Sequence, residues 1–325
     1  MTRVLLLILA SAALAAAGCP APQAPKGDAK PLVVATVPMI ADLAREILGD
    51  AATVKTLLRE GVDPHSYVPT AADVKRMTAA DLVLYNGLLL EGQMEDVLAD
   101  FAHGYAVAES LPEDVLRIPP DFGGHPDPHV WMDVSLWKRT VPGLLARLTE
   151  LDPENADSFA ANADRLSARL DALDEYVRDT LATIPEGRRR LVTAHDAFGY
   201  FGDAYGIEVF SPQGVSTESD AGVEDVNAIV KLIVAERIPA VFMETNVSDR
   251  LLNAIIKGAE EQGVSVVAGG PLYSDSTGPA GTWEATYFGM IDHNVNDITR
   301  RLGGTVPVAG FRGRDREANV PQVGM

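Results

Sequence analysis

A chain of 325 residues, 47% hydrophobic and 22% charged, is long enough for two packed lobes and too apolar to remain disordered. Its 27 basic against 46 acidic residues, a formal charge of −19, argue against electrostatic binding to nucleic acid or anionic lipid and favour cationic partners. A single cysteine excludes an internal disulfide framework and any cysteine-rich zinc or iron–sulfur site, which leaves metal chemistry to His and carboxylates.

The chain opens with a short cationic start at Met1 to Arg3, followed by an apolar run of about 14 residues from Val4 to Ala17. That length suits the core of a secretory signal and falls short of the ~20 residues needed to span a bilayer, so export is expected. The ending LAAAGC resembles a bacterial lipoprotein signal, with Cys19 lipidated and first in the mature chain. Ala16 stands where that pattern prefers Leu, and Ala15-Ala16-Ala17 alternatively reads as an ordinary signal-peptidase site. Residues 1–19 are thus assigned to the signal. Residues 20–31, rich in Pro, Ala, Lys, Gln and Gly, form a flexible tether.

From Leu32 onward short β-branched runs alternate with helical patterns: LVVATV, then MIADLAREIL; TVKTLL, then a helix near Ala71 to Ala79; DLVLY, then a helix after Asn86-Gly87. The same grammar resumes after Pro185 with RLVTA, IEVF, AVFME and SVVAG, between helical stretches at Gly222 to Glu236, Ser248 to Gln262 and Trp283 to Leu302. Strict alternation predicts parallel strands with crossover helices. Between the halves, Phe159, Ala163, Leu166, Leu170, Leu173, Val177 and Leu181 recur at spacings of four and three, the mark of one amphipathic helix of about 30 residues. Asp152-Pro153 would start it and Pro185 end it. The expected fold is α/β: two βα lobes with mostly parallel sheets, at 32–151 and 186–303, joined by one long backbone helix at 152–185. A loosely ordered tail at 304–325 follows. No later segment is long and apolar enough to cross a membrane.

Three of the six histidines sit where a strand gives way to a loop or in a Pro/Gly-bounded loop: His65 in GVDPHSYVPT, His129 in HPDPHVWMDV and His195 in VTAHDAFGYF. Asp275, in LYSDSTG past the strand SVVAG, occupies the equivalent position in the second lobe. Ligands of open parallel sheets bind beyond the carboxyl ends of strands, so these groups can converge on one cleft. Three imidazoles and a carboxylate suit a borderline divalent ion such as zinc. The four are dispersed over about 210 residues, however, and spacing alone leaves ordinary structural histidines as the competing reading.

The words DPHSYVPTAADV, HPDPHVWMDV, VTAHDAFGYFGDAYG, GVSTESDAG and LYSDSTGPAGTWEATYFGMIDHNV resemble the TroA-like, metal-binding solute-binding lipoproteins of zinc and manganese ABC importers (cluster A-I, bacterial solute-binding protein 9 family). The likeness runs from about Leu32 to Leu302. It implies two lobes on a helical backbone, a metal between them, and ligation by His65, His129, His195 and Asp275. It also implies delivery to a membrane permease with its ATPase, by a monomer held to the membrane through Cys19. Manganese-dedicated members tend to carry Glu where His195 stands, so this set is expected to favour Zn2+ while accepting Mn2+. The His/Asp-rich loop of dedicated zinc members is missing, with only His103 and His125 in that region.

Other residues divide between roles. Glu244, ending AVFME, is placed either to orient a ligand imidazole or to hold nearby backbone; Asp63 and Asp196 flank ligands as possible supports or turn formers. His125 is assigned to the rim, His103 to a solvated helix end, His293 to packing or hydrogen bonding, and Trp131 and Trp283 to packing, while Glu91 has no assigned role. A zinc hydrolase built on the same histidines and a surface adhesin are the rival functions. Asp275 is expected to close the position that a catalytic zinc keeps open, so no enzyme activity is expected. The long helix predicts release through small lobe shifts, and unperturbed imidazoles predict affinity falling below about pH 6.

Overall fold

A computed structural model describes residues 30–318. The signal segment, Cys19 and nearly all of the tether lie outside these residues. The first lobe begins with β1 (Leu32–Ala35), α1 (Pro38–Leu48), β2 (Thr53–Thr56), α2 (Ala71–Thr78), β3 (Leu82–Tyr85), α3 (Glu95–Ala99) and β4 (Gly104–Ala106). The strands form one parallel sheet in the order β2-β1-β3-β4, with Val33 opposite both Val54 and Leu82. β1 and β3 lie inside the sheet and are almost wholly apolar and buried, whereas edge strand β2 alternates exposed and half-buried residues. Thr70 and Asp73 start α2 as a reciprocal capping box.

Two helices absent from the sequence reading, α4 (Val134–Lys138) and α5 (Val141–Leu151), complete the lobe. The Asp133 carboxylate accepts from the backbone N–H groups of Ser135 and Leu136 and so starts α4. The backbone helix α6 runs Ala156–Leu181 and buries all seven apolar positions read from its spacing. Its 26 residues span about 39 Å at 1.5 Å per residue. It starts later than Asp152-Pro153 because Pro153–Asn155 forms a tighter 3-10 turn first.

The second lobe contains β5 (Arg190–Val192), α7 (Gly199–Tyr205), β6 (Glu208–Phe210), α8 (Val223–Glu236), β7 (Ala240–Glu244), α9 (Arg250–Glu261), β8 (Val267–Leu272) and α10 (Tyr287–Arg301). β5 pairs with β6 and β7 with β8, all parallel, and an isolated bridge between His195 and Gln213 prolongs the first pair. The tail differs from expectation: Gly310–Ala318 forms α11. Asp292 Oδ1 accepts from Phe311 N, Arg169 makes a two-pronged ion pair with Asp315, and Phe311 stacks on Phe288. Among the described residues no helix is long and apolar enough to cross a membrane.

One apolar core runs through both lobes along α1, α6 and α10, and a smaller one lies beneath α8 and α9. At the seam, Trp131 Nε1 donates to Ser274 O at 2.9 Å, Tyr287 Oη donates to Trp131 O at 2.7 Å, and Tyr287 N donates to Asp42 Oδ2 at 2.8 Å. Trp131 and Tyr287 are fully buried, so these bonds stitch the lobes together away from water.

Candidate metal centre

The strand order brings the carboxyl ends of β2, β5 and β8 to the seam, and His65, His195 and Asp275 follow those strands. His129 arrives from the first-lobe loop just before the short turn Val130–Met132. One ligand atom from each of the four lies within 4.8 Å of every other, and all four residues are buried. His129 Nε2 is 3.3 Å from His65 Nε2 and 3.2 Å from Asp275 Oδ1, while His195 Nε2 is 3.2 Å from Asp275 Oδ2. His195 Nε2 and Asp275 Oδ1 make no hydrogen bond among the described residues. Buried polar atoms normally find partners, so donor atoms clustered without them suit a shared cation.

His65 and His129 are held by the same local device. Each is the third residue of an Asp-Pro-His segment, and each backbone N–H donates to Oδ1 of its Asp at 3.0 Å. Asp127 also lies 2.8 Å from His129 Nδ1, fixing the tautomer that points Nε2 inward. Asp63 does not reach its imidazole; its other oxygen accepts from the hydroxyls of Ser66 and, across the seam, Thr217. At Glu244, Oε1 accepts from Ala194 N and His195 N, and Oε2 lies 2.7 Å from His195 Nδ1.

The sequence reading missed Asp127, Arg117 and Asn246. Asp127 was signalled by the repeat of Asp-Pro-His; the other two carried no local mark. Arg117 donates to Asp127 at 3.0 Å and to Asp203 of the second lobe at 3.0 Å. Asp196 turns toward Arg117 rather than to the clustered imidazoles, at 3.8 Å. Glu91 is buried and accepts from Thr36 Oγ1, Asn86 N and Gly87 N, while Asn86 donates to Pro128 O, which braces the loop behind His129. His125 is exposed, His103 lies 3.2 Å from Met77 O and His293 3.0 Å from Pro271 O, so none of these joins the cluster. Trp283 Nε1 donates to Asp292 rather than only packing.

The imidazoles separate in basicity. Burial lowers His65 to about 4. Burial acts the same way on His129, but the carboxylates of Asp127, 2.8 Å from Nδ1, and Asp275, 3.2 Å from Nε2, overcome it and raise that ring to about 9. At His195 burial is likewise overcome, by Glu244 and Asp275, and the ring moves well above its ordinary value. Asp275 is held well below the usual carboxylate range because His195 and His129 outweigh its burial. The ordinary imidazole range, on which the expected fall below pH 6 rested, therefore fails for all three rings, His65 lying below it and His129 and His195 above.

A family profile described as "Zinc-uptake complex component A periplasmic" matches residues 33–301. The manganese-binding lipoprotein MntA of Bacillus subtilis is 44% identical over 306 residues, covering 93% of this chain and 100% of the relative. The zinc-binding protein TroA of Treponema pallidum is 41% identical over 280 residues, covering 85% of this chain and 90% of the relative. The solved TroA structure superposes with a TM-score of 0.82 over 84% of this chain and 99% of that one, at 41% identity. Fe(III)-bound YtgA from Chlamydia trachomatis gives 0.79 over 86% of this chain and 100% of that one, at 30% identity.

Proposed function

Since the chain belongs to the zinc-uptake complex component A family, we propose that it captures a divalent transition metal between its lobes and hands it to an ABC permease powered by a partner ATPase. His65, His129, His195 and Asp275 are the proposed ligands, and the observation that carries the reading is their meeting within 4.8 Å in a buried cluster drawn from both lobes. Asp127 and Glu244 support it by holding two of the imidazoles with Nε2 turned inward.

Three imidazoles against one carboxylate favour Zn2+ over Mn2+ by softness and by the Irving–Williams order. Relatives named for either metal are consistent with a site that accepts both. The reading is of a receptor rather than a hydrolase, because a catalytic zinc keeps a position open to water and substrate, whereas His65, His129 and His195 are 0% and Asp275 is 1% exposed. Export, acylation at Cys19 and a monomeric receptor tethered by residues 20–31 to the outer face of the membrane complete the proposal. The lobe boundaries 32–151 and 186–303, with the helix between them, belong to it as well.

The test is metal uptake by chelator-stripped protein given one equivalent of Zn or Mn. One bound ion per chain, lost in Asp275→Ala and without turnover of ester or peptide substrates, is expected. A substoichiometric load, or full uptake by Asp275→Ala, would overturn the assignment.

A further inference from the structure

The last residue of β7 is Glu244, and two positions on, just past the strand, stands Asn246. Both second-lobe members of the cluster are gripped from this one segment, Glu244 against His195 and Asn246 against Asp275. Asn246 Nδ2 donates to Asp275 Oδ2 at 2.7 Å. A carboxylate oxygen only accepts, so the amide nitrogen must face it; the amide oxygen then accepts from Ser274 Oγ at 2.7 Å. Ser274 O is in turn the acceptor for Trp131 Nε1 of the first lobe, which anchors the amide to the stitched seam.

The two partners act in opposite senses on the atoms they touch. A carboxylate bonded to an imidazole N–H strengthens the ring as a donor; Asp127 does this for His129, and the Glu244 carboxylate stands 2.7 Å from His195 Nδ1. An amide N–H bonded to a carboxylate oxygen withdraws electron density from it and uses one of its lone pairs. Oδ1 of Asp275 stands 3.2 Å from His129 Nε2 among the clustered donor atoms, while Oδ2 is held by the Asn246 amide. The imidazole side of the cluster is thus reinforced at His129, and the single oxygen-bearing group is weakened. Imidazole suits zinc, and unencumbered carboxylate oxygen suits manganese.

We propose that Asn246 is a selectivity-determining residue, which biases the site toward zinc over manganese by holding Oδ2 of Asp275 in a hydrogen bond. The inference rests on the four-residue cluster being the metal site. Asn246 also lines a cavity of about 650 Å³ together with Asp63, Gln213 and Leu251, so a substituted side chain has space beside it.

The test compares wild type, Asn246→Leu and Asn246→Ser for Zn and Mn affinity by chelator competition, with the visible absorption of bound cobalt(II) reporting the ligand shell. The Leu variant is expected to lower the zinc-to-manganese ratio about tenfold and to alter the cobalt spectrum, whereas Ser, which keeps a donor, stays within about threefold of wild type. Asn246→Ala carries the same comparison where the Leu chain does not fold. An unchanged ratio and spectrum in the donor-free variants overturns the inference while leaving the receptor reading intact. Equal losses in Ser and Leu also overturn it, since they point to space rather than to the donor. Failure of the wild type to bind either ion overturns the receptor reading and this inference with it.

Discussion

Metal binding should be an exchange of one dication for two protons, and pH is the perturbation that exposes it. In the metal-free cluster His129, raised to about 9, and His195, raised well above its ordinary value, are imidazolium at pH 7, whereas His65, lowered to about 4, is neutral. Two imidazoliums and the Arg117 guanidinium balance the carboxylates of Asp127, Glu244 and Asp275. A dication displacing both protons leaves the buried charge unchanged, which is the least costly exchange in a low-dielectric site. Raising the pH removes the competing protons, so affinity rises with pH at a slope equal to the number of protons displaced. From pH 7 to 8 the His129 proton alone gives a slope near one, about a ninefold climb in apparent affinity or about 1.3 kcal/mol, and the raised His195 adds to it. Three unshifted imidazoles at ~6.5 would give only about a twofold rise. Chelator competition at both pH values supplies the affinities. Calorimetry at pH 8 in buffers of different ionisation enthalpy counts the protons, about 0.9 from His129 with a further contribution from His195, against about 0.1 for unshifted rings. A twofold rise with negligible proton release would refute the argument.

The same shift bears on the metal-free fold. A ring raised from 6.5 to about 9 contributes stability that is complete below pH 6.5 and is lost as pH climbs through 9. His129 alone should therefore cost the metal-free protein on the order of 3 kcal/mol between pH 6.5 and 9.5, read as a falling denaturation midpoint, and a flat midpoint would contradict it. Asp127→Asn keeps the shape but not the charge beside His129 Nδ1, and a 10- to 100-fold loss of zinc affinity is expected by competition titration. His195→Glu exchanges an imidazole for a harder oxygen donor and should move the preference toward manganese; the parental ratio in that variant would count against the selectivity account.

The parts legible in the sequence were those written in local pattern. The buried strands Leu32–Ala35 and Leu82–Tyr85 are unbroken apolar runs, and α6 shows its period plainly because one face meets the core and the other meets water. α7 is different: in seven residues Gly199, Tyr200, Phe201, Gly202 and Tyr205 are buried and only Asp203 is exposed, too short a stretch with too little polar surface to mark a helical period. β4 is three half-buried residues whose pairing is set by β3. α11 reads as a loose charged tail because its sequence, GFRGRDREA, has poor helix propensity; capture by Asp292, Arg169 and Phe288 decides it. At the centre, the four clustered groups were readable as residues following strands or seated in a Pro-bounded loop. Asp127 was marked by the repeated Asp-Pro-His, but Arg117 and Asn246 were not readable, because a guanidinium or amide acquires such a role only when tertiary structure brings it to the oxygen it touches.

The division of the cluster between lobes has a consequence for how the molecule comes apart. Neither half owns more than two of the four groups, so an ion gripped by all of them acts as a rivet across the seam. Its binding energy is available only while both halves are folded and docked, which links their melting to each other. Loaded protein should lose both halves in one sharp calorimetric transition, and stripping the ion should broaden or split that transition.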